Sequence, residues 1–163
     1  VGAGNTTKLA NQIVVACNIQ AVAEALQSMW KNVLGVEVTL NNQDWNVFLE
    51  TRSKGDYSIC RNGWIADYND PVSFLDMFMT DNGNNDAHYS NAEYDAIMTK
   101  VLSDSDAAGR MELMHQAEDL LVGEDQAIAP LYYYSQPYMV ADDVHGMYYT
   151  PLGNFLFFHA TKG

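Results

Sequence analysis

The chain has 163 residues, of which 48% are hydrophobic and 12% are aromatic. This length is typical of one domain, and the composition excludes a disordered chain. Twenty-one acidic residues against eight lysines and arginines give a formal net charge of -13, and the basic residues form no cluster. Binding to nucleic acid or to an anionic lipid surface is therefore not expected.

The first predicted elements alternate between strand and helix. Residues 13–15 are consecutive β-branched residues and predict a buried strand, and Asn18 is a candidate N-cap for the helix that follows. Apolar residues recur at helical spacing as far as Val33, and Gly35 ends this helix. The alternation over residues 36–40 predicts a second strand.

A second helix, a third strand and a helix start are predicted next. The helix begins at Asn42 or Asp44 and ends at Gly55, and the strand covers residues 57–61. Asp70-Pro71 is typical of an N-cap followed by the first helical residue. No apolar run here or elsewhere approaches the roughly 20 residues that a membrane helix needs.

The second half begins with a polar loop at residues 81–86, which lacks the spacing of a calcium loop. Helices are predicted over 91–102 and 106–122, and the second carries Met111, Met114, Ala117, Leu120 and Leu121 on one face. Strands are predicted at 128–134, 139–140 and 155–159. The pattern favours a single α/β domain over 1–163, with a mixed β-sheet flanked by helices.

The run from Arg61 to Pro71 reads Arg-Asn-Gly-Trp-Ile-Ala-Asp-Tyr-Asn-Asp-Pro. Arg61 can make a forked contact to a carboxylate, and Trp64 offers a large flat face. Asp67 is an acceptor suited to an ammonium group. In an open α/β sheet, ligands bind beyond the carboxyl ends of strands, where this run is predicted to lie. Together these residue types suit a zwitterion better than a reaction.

The same run resembles the oligopeptide-binding proteins of peptide-importing ABC transporters, which belong to bacterial extracellular solute-binding protein family 5. Their signature, Gly-Trp-x-Ala-Asp-Tyr-Asn-x-Pro, is present at residues 63–71. The likeness extends over nearly the whole chain, upstream to 35–38 and 42–45 and downstream through 74–75, 87–89, 94–98 and 129–134.

The resemblance implies the C-terminal lobe of a type II periplasmic-binding-protein-like fold, in a longer bilobal protein whose N-terminal lobe is absent here. Because the first residue is Val1 rather than Met, we also expect a piece of a longer protein. The implied partners are short peptides, the permease subunits of an ABC transporter and the protein's own N-terminal lobe. The implied location is extracytoplasmic, either periplasmic or lipid-anchored at the outer face of the cell membrane.

The resemblance also assigns three charged residues to the cleft. It implies that Asp67 binds the ligand's ammonium group, although a solvated loop acid or a helix-capping acid is the alternative. It places Arg61 near the ligand's main chain or carboxylate, where the alternative is a surface arginine. Arg52 matches another cleft arginine that meets the ligand carboxylate, and pairing with Glu50 or another surface acid is the alternative.

Five uncharged residues complete the implied site. Trp64 and Trp45 match cleft tryptophans that form walls for ligand side chains, although Trp45 also fits a core stripe. Tyr134 is placed where its hydroxyl can bond a ligand amide, with exposure to solvent as the alternative, and it shares one strand face with Tyr132. Gly63 and Ile65 of the signature are also implied ligand contacts.

Catalytic and metal-binding motifs are absent from the sequence, so we expect neither an enzyme nor a cofactor. The histidines are His88, His115, His145 and His159, and they are scattered singly. Cys17 and Cys60 lack metal spacing and are interpreted as buried free thiols, with a disulfide as the alternative. A binding protein of the same fold for nickel, a sugar or another small solute is the alternative function.

Overall fold

The computed structural model describes residues 19–135 and 137–163. It divides the chain into two compact units, Val1–Phe48 and Leu49–Gly163, and each is described by itself. The strand predicted at 13–15, the N-cap Asn18 and Cys17 lie outside the described residues. Within those ranges, no helix combines the length and apolar character needed to cross a membrane.

The first unit contains helix α1, which covers residues 19–29 and continues as a π-helical turn over Trp30–Leu34. Gly35 ends it as predicted. Its φ of 69° is left-handed, which glycine adopts without steric cost, and its N–H donates to the carbonyl of Lys31 at 3.2 Å.

Helix α2 covers Trp45–Ser53. Of the two predicted starts, Asp44 is correct, because its carboxylate accepts the N–H of Asn46 at 3.1 Å. The predicted end is also confirmed, since Gly55 has a φ of 69° and donates to the carbonyl of Arg52 at 3.0 Å. A Cβ at Gly55 would lie 2.8 Å from the ring of His88, so the close approach of that ring also requires glycine.

Helices α3, Ala92–Ser103, and α4, Ala107–Glu118, form the centre of the second unit. Asn91 and Asp106 cap them, and α4 continues as a π-helical segment over Asp119–Glu124. Both predicted helices are therefore confirmed within a residue or two. Four of the predicted apolar positions of the second helix are buried, but Met111 is 42% exposed. The core comprises Val72, Met77, Phe78, Tyr94, Met98, Val101, Met114, Ala117, Leu120 and Leu121.

Two short 3₁₀ helices, Pro71–Phe74 and Asp76–Phe78, pack into this core. The hydroxyl of Tyr94 donates to the carbonyl of Leu75 at 2.7 Å, and Asp95 accepts the N–H of Thr80 at 2.9 Å. These bonds tie the segment that follows the signature run to helix α3.

The strands of the described residues are short and lie near the carboxyl end of the chain. They are β1, Val144–His145; β2, Tyr148–Tyr149; β3, Phe155–Leu156; and β4, Thr161–Lys162. Strand β1 pairs antiparallel with β4, and β2 pairs antiparallel with β3. The rings of Tyr149 and Phe155, opposite each other in the second pair, lie 4.8 Å apart.

Several predicted strands are not formed. Residues 36–40, 57–61, 128–134 and 139–140 have no strand structure, and of 155–159 only Phe155–Leu156 is a strand. A strand requires a neighbouring strand whose backbone forms hydrogen bonds with its N–H and C=O groups. Alternation of apolar and polar residues in a sequence indicates only which side chains favour burial. Ile59 is 69% exposed and Tyr133 is 100% exposed, so the described residues supply neither the pairing nor the cover that these segments need.

Candidate functional site

The signature run passes from an extended segment into the first 3₁₀ helix at Asp70. The carboxylate of Asp70 accepts the N–H of Val72 at 3.0 Å, and the carbonyl of Asp70 accepts the N–H of Ser73 at 3.1 Å. Pro71 requires no N–H partner at the first helical position, and it favours the extended backbone of the residue before it. The predicted cap is confirmed.

Asp70 is also fixed from the side of the core. Arg110, on helix α4, places its Nη2 3.0 Å from the second oxygen of Asp70 and donates from Nε to the carbonyl of Val101 at 3.0 Å. The N–H of Val72, and then the Arg110 guanidinium, hold the pKa of Asp70 below its ordinary value. Asp70 is thus an ionised structural acid.

Asp67 lies three residues earlier and is exposed. Its backbone N–H donates to the hydroxyl of Ser73 at 3.0 Å, and Ser73 is only 1% exposed. Across residues 19–135 and 137–163, no hydrogen bond or ion pair engages the Asp67 carboxylate. Because Asp70 is the residue that caps the helix, the interpretation of Asp67 as a capping acid is wrong.

Arg52 lines a depression in the second unit with a volume of about 300 Å³. Its Nε lies 2.7 Å from a carboxylate oxygen of Asp86, and its Nη1 donates to Asn62 at 3.1 Å. Glu50 pairs with Lys54 instead, at 2.6 Å. The lining residues are Leu49, Arg52, Ser53, Asn62, Gly63, Trp64, Gly83, Asn84 and Asp86.

Trp64 is half-buried, and it both lines this depression and packs against the core. Its Nε1 is shielded from solvent and has no hydrogen-bond partner in the part of the chain that the structure describes. The backbone N–H of Gly63 donates to the side chain of Asn62 at 2.8 Å. Arg61 and Ile65 are exposed, and neither they nor Asp67 line the depression.

Comparison with known proteins places the chain in a family. The model described as "Bacterial extracellular solute-binding proteins, family 5 Middle" matches residues 17–86, which include the signature run. The periplasmic oligopeptide-binding protein OppA of Salmonella typhimurium is 43% identical over 125 residues, 77% of this chain and 23% of that protein. The chain belongs to the bacterial extracellular solute-binding proteins of family 5.

Two further relatives agree with this membership. The dipeptide-binding protein DppE of Bacillus subtilis is 40% identical over 132 residues, which are 81% of this chain and 24% of that protein. The crystal structure of Haemophilus influenzae OppA in complex with the peptide RPPGFSPFR matches with a TM-score of 0.72 and 40% identity. That match covers 79% of this chain and 25% of the other.

These solved structures confirm the predicted fold class, an α/β lobe of the periplasmic solute-binding type. The chain spans about a quarter of the length of the family members that it matches. Segments 57–61 and 128–134 have no pairing strand among the described residues.

Not all of the implied ligand contacts come together within the second unit. Arg52, Gly63 and Trp64 share the depression, and Asp67, Arg61 and Ile65 lie exposed along the same run.

Trp45 and Tyr134 are not among the residues that line the depression. Trp45 belongs to the first unit, where its ring lies 5.7 Å from that of Phe48. Tyr134 is 63% exposed, and its ring lies 6.0 Å from that of Tyr132, although the strand on which they were predicted to share a face is not formed.

Three residues around the site were missed in the sequence. Ser73 follows the Asp-Pro cap in the first turn of a helix, a position where a polar side chain is usually exposed. Asp86 and Arg110 contact the site from distant parts of the sequence, and nothing local in the sequence marks their partners. Cys60 is a free thiol as interpreted, but it is half-buried rather than buried, and burial raises its pKa. Among the described residues, no group of three or more His, Cys, Asp or Glu side chains is arranged to hold a metal ion.

Proposed function

We propose that the protein to which this chain belongs binds short peptides and delivers them to the permease subunits of an ABC transporter. The chain is its C-terminal lobe, and the ligand lies between this lobe and the N-terminal lobe. Family membership and the names of the oligopeptide- and dipeptide-binding relatives support this function. The observation that carries it is the exposed carboxylate of Asp67, which lies within the signature run and has no hydrogen bond or ion pair among the described residues.

A peptide importer must accept many sequences, so it has to bind what all peptides share. In this proposal Asp67 binds the α-ammonium group, and Arg61 and Arg52 meet the main chain or the carboxylate. Arg52 already bonds Asp86 and Asn62, so a ligand carboxylate has to share the guanidinium with them or displace one.

The remaining contacts of the proposal tolerate many ligand side chains. Trp64 and Trp45 are walls against which apolar groups of different shape can pack. Tyr134 bonds a ligand amide, and Gly63 and Ile65 line the ligand's path. No contact of this kind selects one side chain of the ligand.

The charges around Asp67 suit a cation. Burial raises the pKa of Tyr68, and the neighbouring acidic groups of Asp76, Asp70 and Asp67 raise that pKa further. The Arg110 guanidinium pairs with Asp70 and not with Asp67. An incoming ammonium group therefore meets a carboxylate that no described cation neutralises.

The finer features of the function belong to the same proposal. The protein is not an enzyme and needs no cofactor, because its task is to enclose a solute rather than to transform it. It acts outside the cytoplasm, in the periplasm or lipid-anchored at the outer face of the membrane, as the periplasmic description of its relatives supports.

Replacing Asp67 in the full-length protein tests the proposal. Asp67→Asn keeps the shape of the side chain and removes its charge, so a free-amine peptide should lose about 2 kcal/mol of binding free energy, as for a hydrogen bond between charged groups. The N-acetylated form of the same peptide should lose much less. Isothermal titration calorimetry of both peptides against both proteins measures the difference.

Two outcomes would contradict the proposal. An equal loss for both peptides would assign Asp67 a purely structural role. Saturable binding of nickel or a sugar by the unaltered full-length protein, with no heat from any peptide, would favour the alternative that the same fold binds another solute.

A further inference from the structure

Ser73 has an unusual environment for a small polar residue. Apart from Tyr94, it is the only buried residue with a polar side chain in the ranges that the structure describes. Its hydroxyl accepts the N–H of Asp67, six residues earlier, at 3.0 Å. A buried hydroxyl is retained at low cost only where it is hydrogen-bonded, and here its partner is the backbone of the proposed ammonium-binding residue.

The helix that carries Ser73 is firmly attached to the core. Val72 beside it is 3% exposed, and the Asp70 cap is fixed to Arg110 at 3.0 Å. Arg110 in turn bonds the carbonyl of Val101, which lies on helix α3. The hydroxyl of Ser73 is therefore held in place by a helix that is fixed to the core.

Asp67, by contrast, is joined to this helix by one hydrogen bond among the described residues. In the described part of the chain its only hydrogen bond is the one to Ser73, and its side chain is exposed. With the backbone N–H fixed, the carboxylate is confined to the arc that two side-chain torsions allow. Without that bond, the carboxylate samples a wider region and binds a fixed ammonium group less well.

From this geometry we propose that Ser73 is a positioning residue that sets the location of the Asp67 carboxylate and so the protein's preference for ligands with a free amino terminus. The inference rests on the proposed function, because it assigns Ser73 a role only through Asp67. Ser73 itself need not touch the ligand.

Ser73→Ala in the full-length protein provides the first test. A free-amine peptide should bind about fivefold more weakly, the equilibrium weight of one ordinary hydrogen bond, while the N-acetylated peptide keeps its affinity. Leu121→Val, which removes one methylene from a buried side chain elsewhere in the core, is the matched control for lost stability and should leave the ratio of the two affinities unchanged. Thermal unfolding of each variant shows the stability that each has lost.

A double-mutant cycle provides the second test. If Ser73 acts through the Asp67 carboxylate, Ser73→Ala should add no further loss for the free-amine peptide in an Asp67→Asn background. A repeated fivefold loss in that background would overturn the inference. Ser73→Cys, with a side chain of similar size and a weak acceptor, should give the same direction of change if Ser73→Ala does not fold.

The outcomes separate this inference from the function on which it rests. Unaltered affinities in Ser73→Ala, or equal losses for both peptides, would overturn the positioning role while peptide binding stands. Failure of the unaltered full-length protein to bind either peptide would overturn both.

Discussion

Within the unit Leu49–Gly163, residues 70–125 form capped helices and hydrogen-bonded turns around a core. Residues 57–66, 129–135 and 137–140, by contrast, form no helix or strand and carry many exposed apolar side chains. Met98 is 0% exposed in the first region, and Ile65 is 78% exposed in the second. The buried apolar side chains of residues 70–125 pack against one another. The second region has the apolar side chains of a sheet but no pairing strand among the described residues, which teaches that local pattern alone does not form a strand.

The largest expected effect concerns peptide binding by the chain alone. If the ligand lies between two lobes as proposed, this chain supplies only part of the site. For a peptide that saturates the full-length protein at micromolar concentration, the isolated chain should then have a Kd above about 1 mM. That difference corresponds to at least about 4 kcal/mol of binding free energy. Calorimetry of both proteins measures it. Micromolar affinity of the isolated chain would show that this lobe holds a complete site.

The second prediction compares one side chain from each region in the isolated chain. Met98→Ala leaves a cavity between helices α3 and α4 and should lower the free energy of unfolding by about 3 kcal/mol. Ile59→Ala should change it by less than about 0.5 kcal/mol, because Ile59 is 69% exposed. Urea denaturation followed by circular dichroism gives both values.

The same two changes should also be made in the full-length protein, and their effects on the free energy of unfolding compared with those in the isolated chain. There, Ile59→Ala should cost more than about 1 kcal/mol if additional chain covers the side chain. A cost for Ile59→Ala that stays near zero in both forms would mean that this surface is exposed in the complete protein as well.

The helices could be predicted from the sequence because their signals are local. Asn91 and Asp106 supply caps, and Met114 and Ala117 follow the helical period, so each element depends on residues within a few turns of it. The strands could not be predicted in the same way. Whether residues 57–61 form a strand is decided by a neighbouring strand, which need not be close in the sequence, and the described residues contain none.

In the candidate site, too, contacts between residues close in sequence could be predicted and contacts between distant residues could not. The Asp70-Pro71 cap is a contact between residues close in sequence, and the prediction of it is confirmed. The pairing of Arg52 with Asp86 and of Arg110 with Asp70 joins residues 34 and 40 positions apart, and the sequence pattern did not identify either acid as the partner. The resemblance to the family directed attention to Asp67 and Arg52, but it did not identify Ser73 or Asp86.

The smallest expected effect separates two acids of the signature run. Asp70→Asn removes the ion pair with Arg110 but keeps an oxygen that can accept the N–H of Val72, so it should lower the free energy of unfolding by about 1 kcal/mol through the lost ion pair. Asp67→Asn is its matched control, because the Asp67 carboxylate has no partner among the described residues, and it should leave stability unchanged. Urea denaturation at neutral pH compares the two variants with the unaltered chain.

The pH dependence of stability tests the same contrast. The pKa of Asp70 is lowered in the folded chain, first by the N–H of Val72 and then by Arg110, so the unfolded chain binds its proton more readily. The contribution of Asp70 is therefore fully present above its ordinary pKa of 3.8 and is lost as the pH falls through the lower value of the folded state. The difference in unfolding free energy between the unaltered chain and Asp70→Asn should shrink on acidification below that ordinary value. A difference that was the same at neutral pH and below that ordinary value would show that the Asp70 carboxylate does not stabilise the fold through its charge.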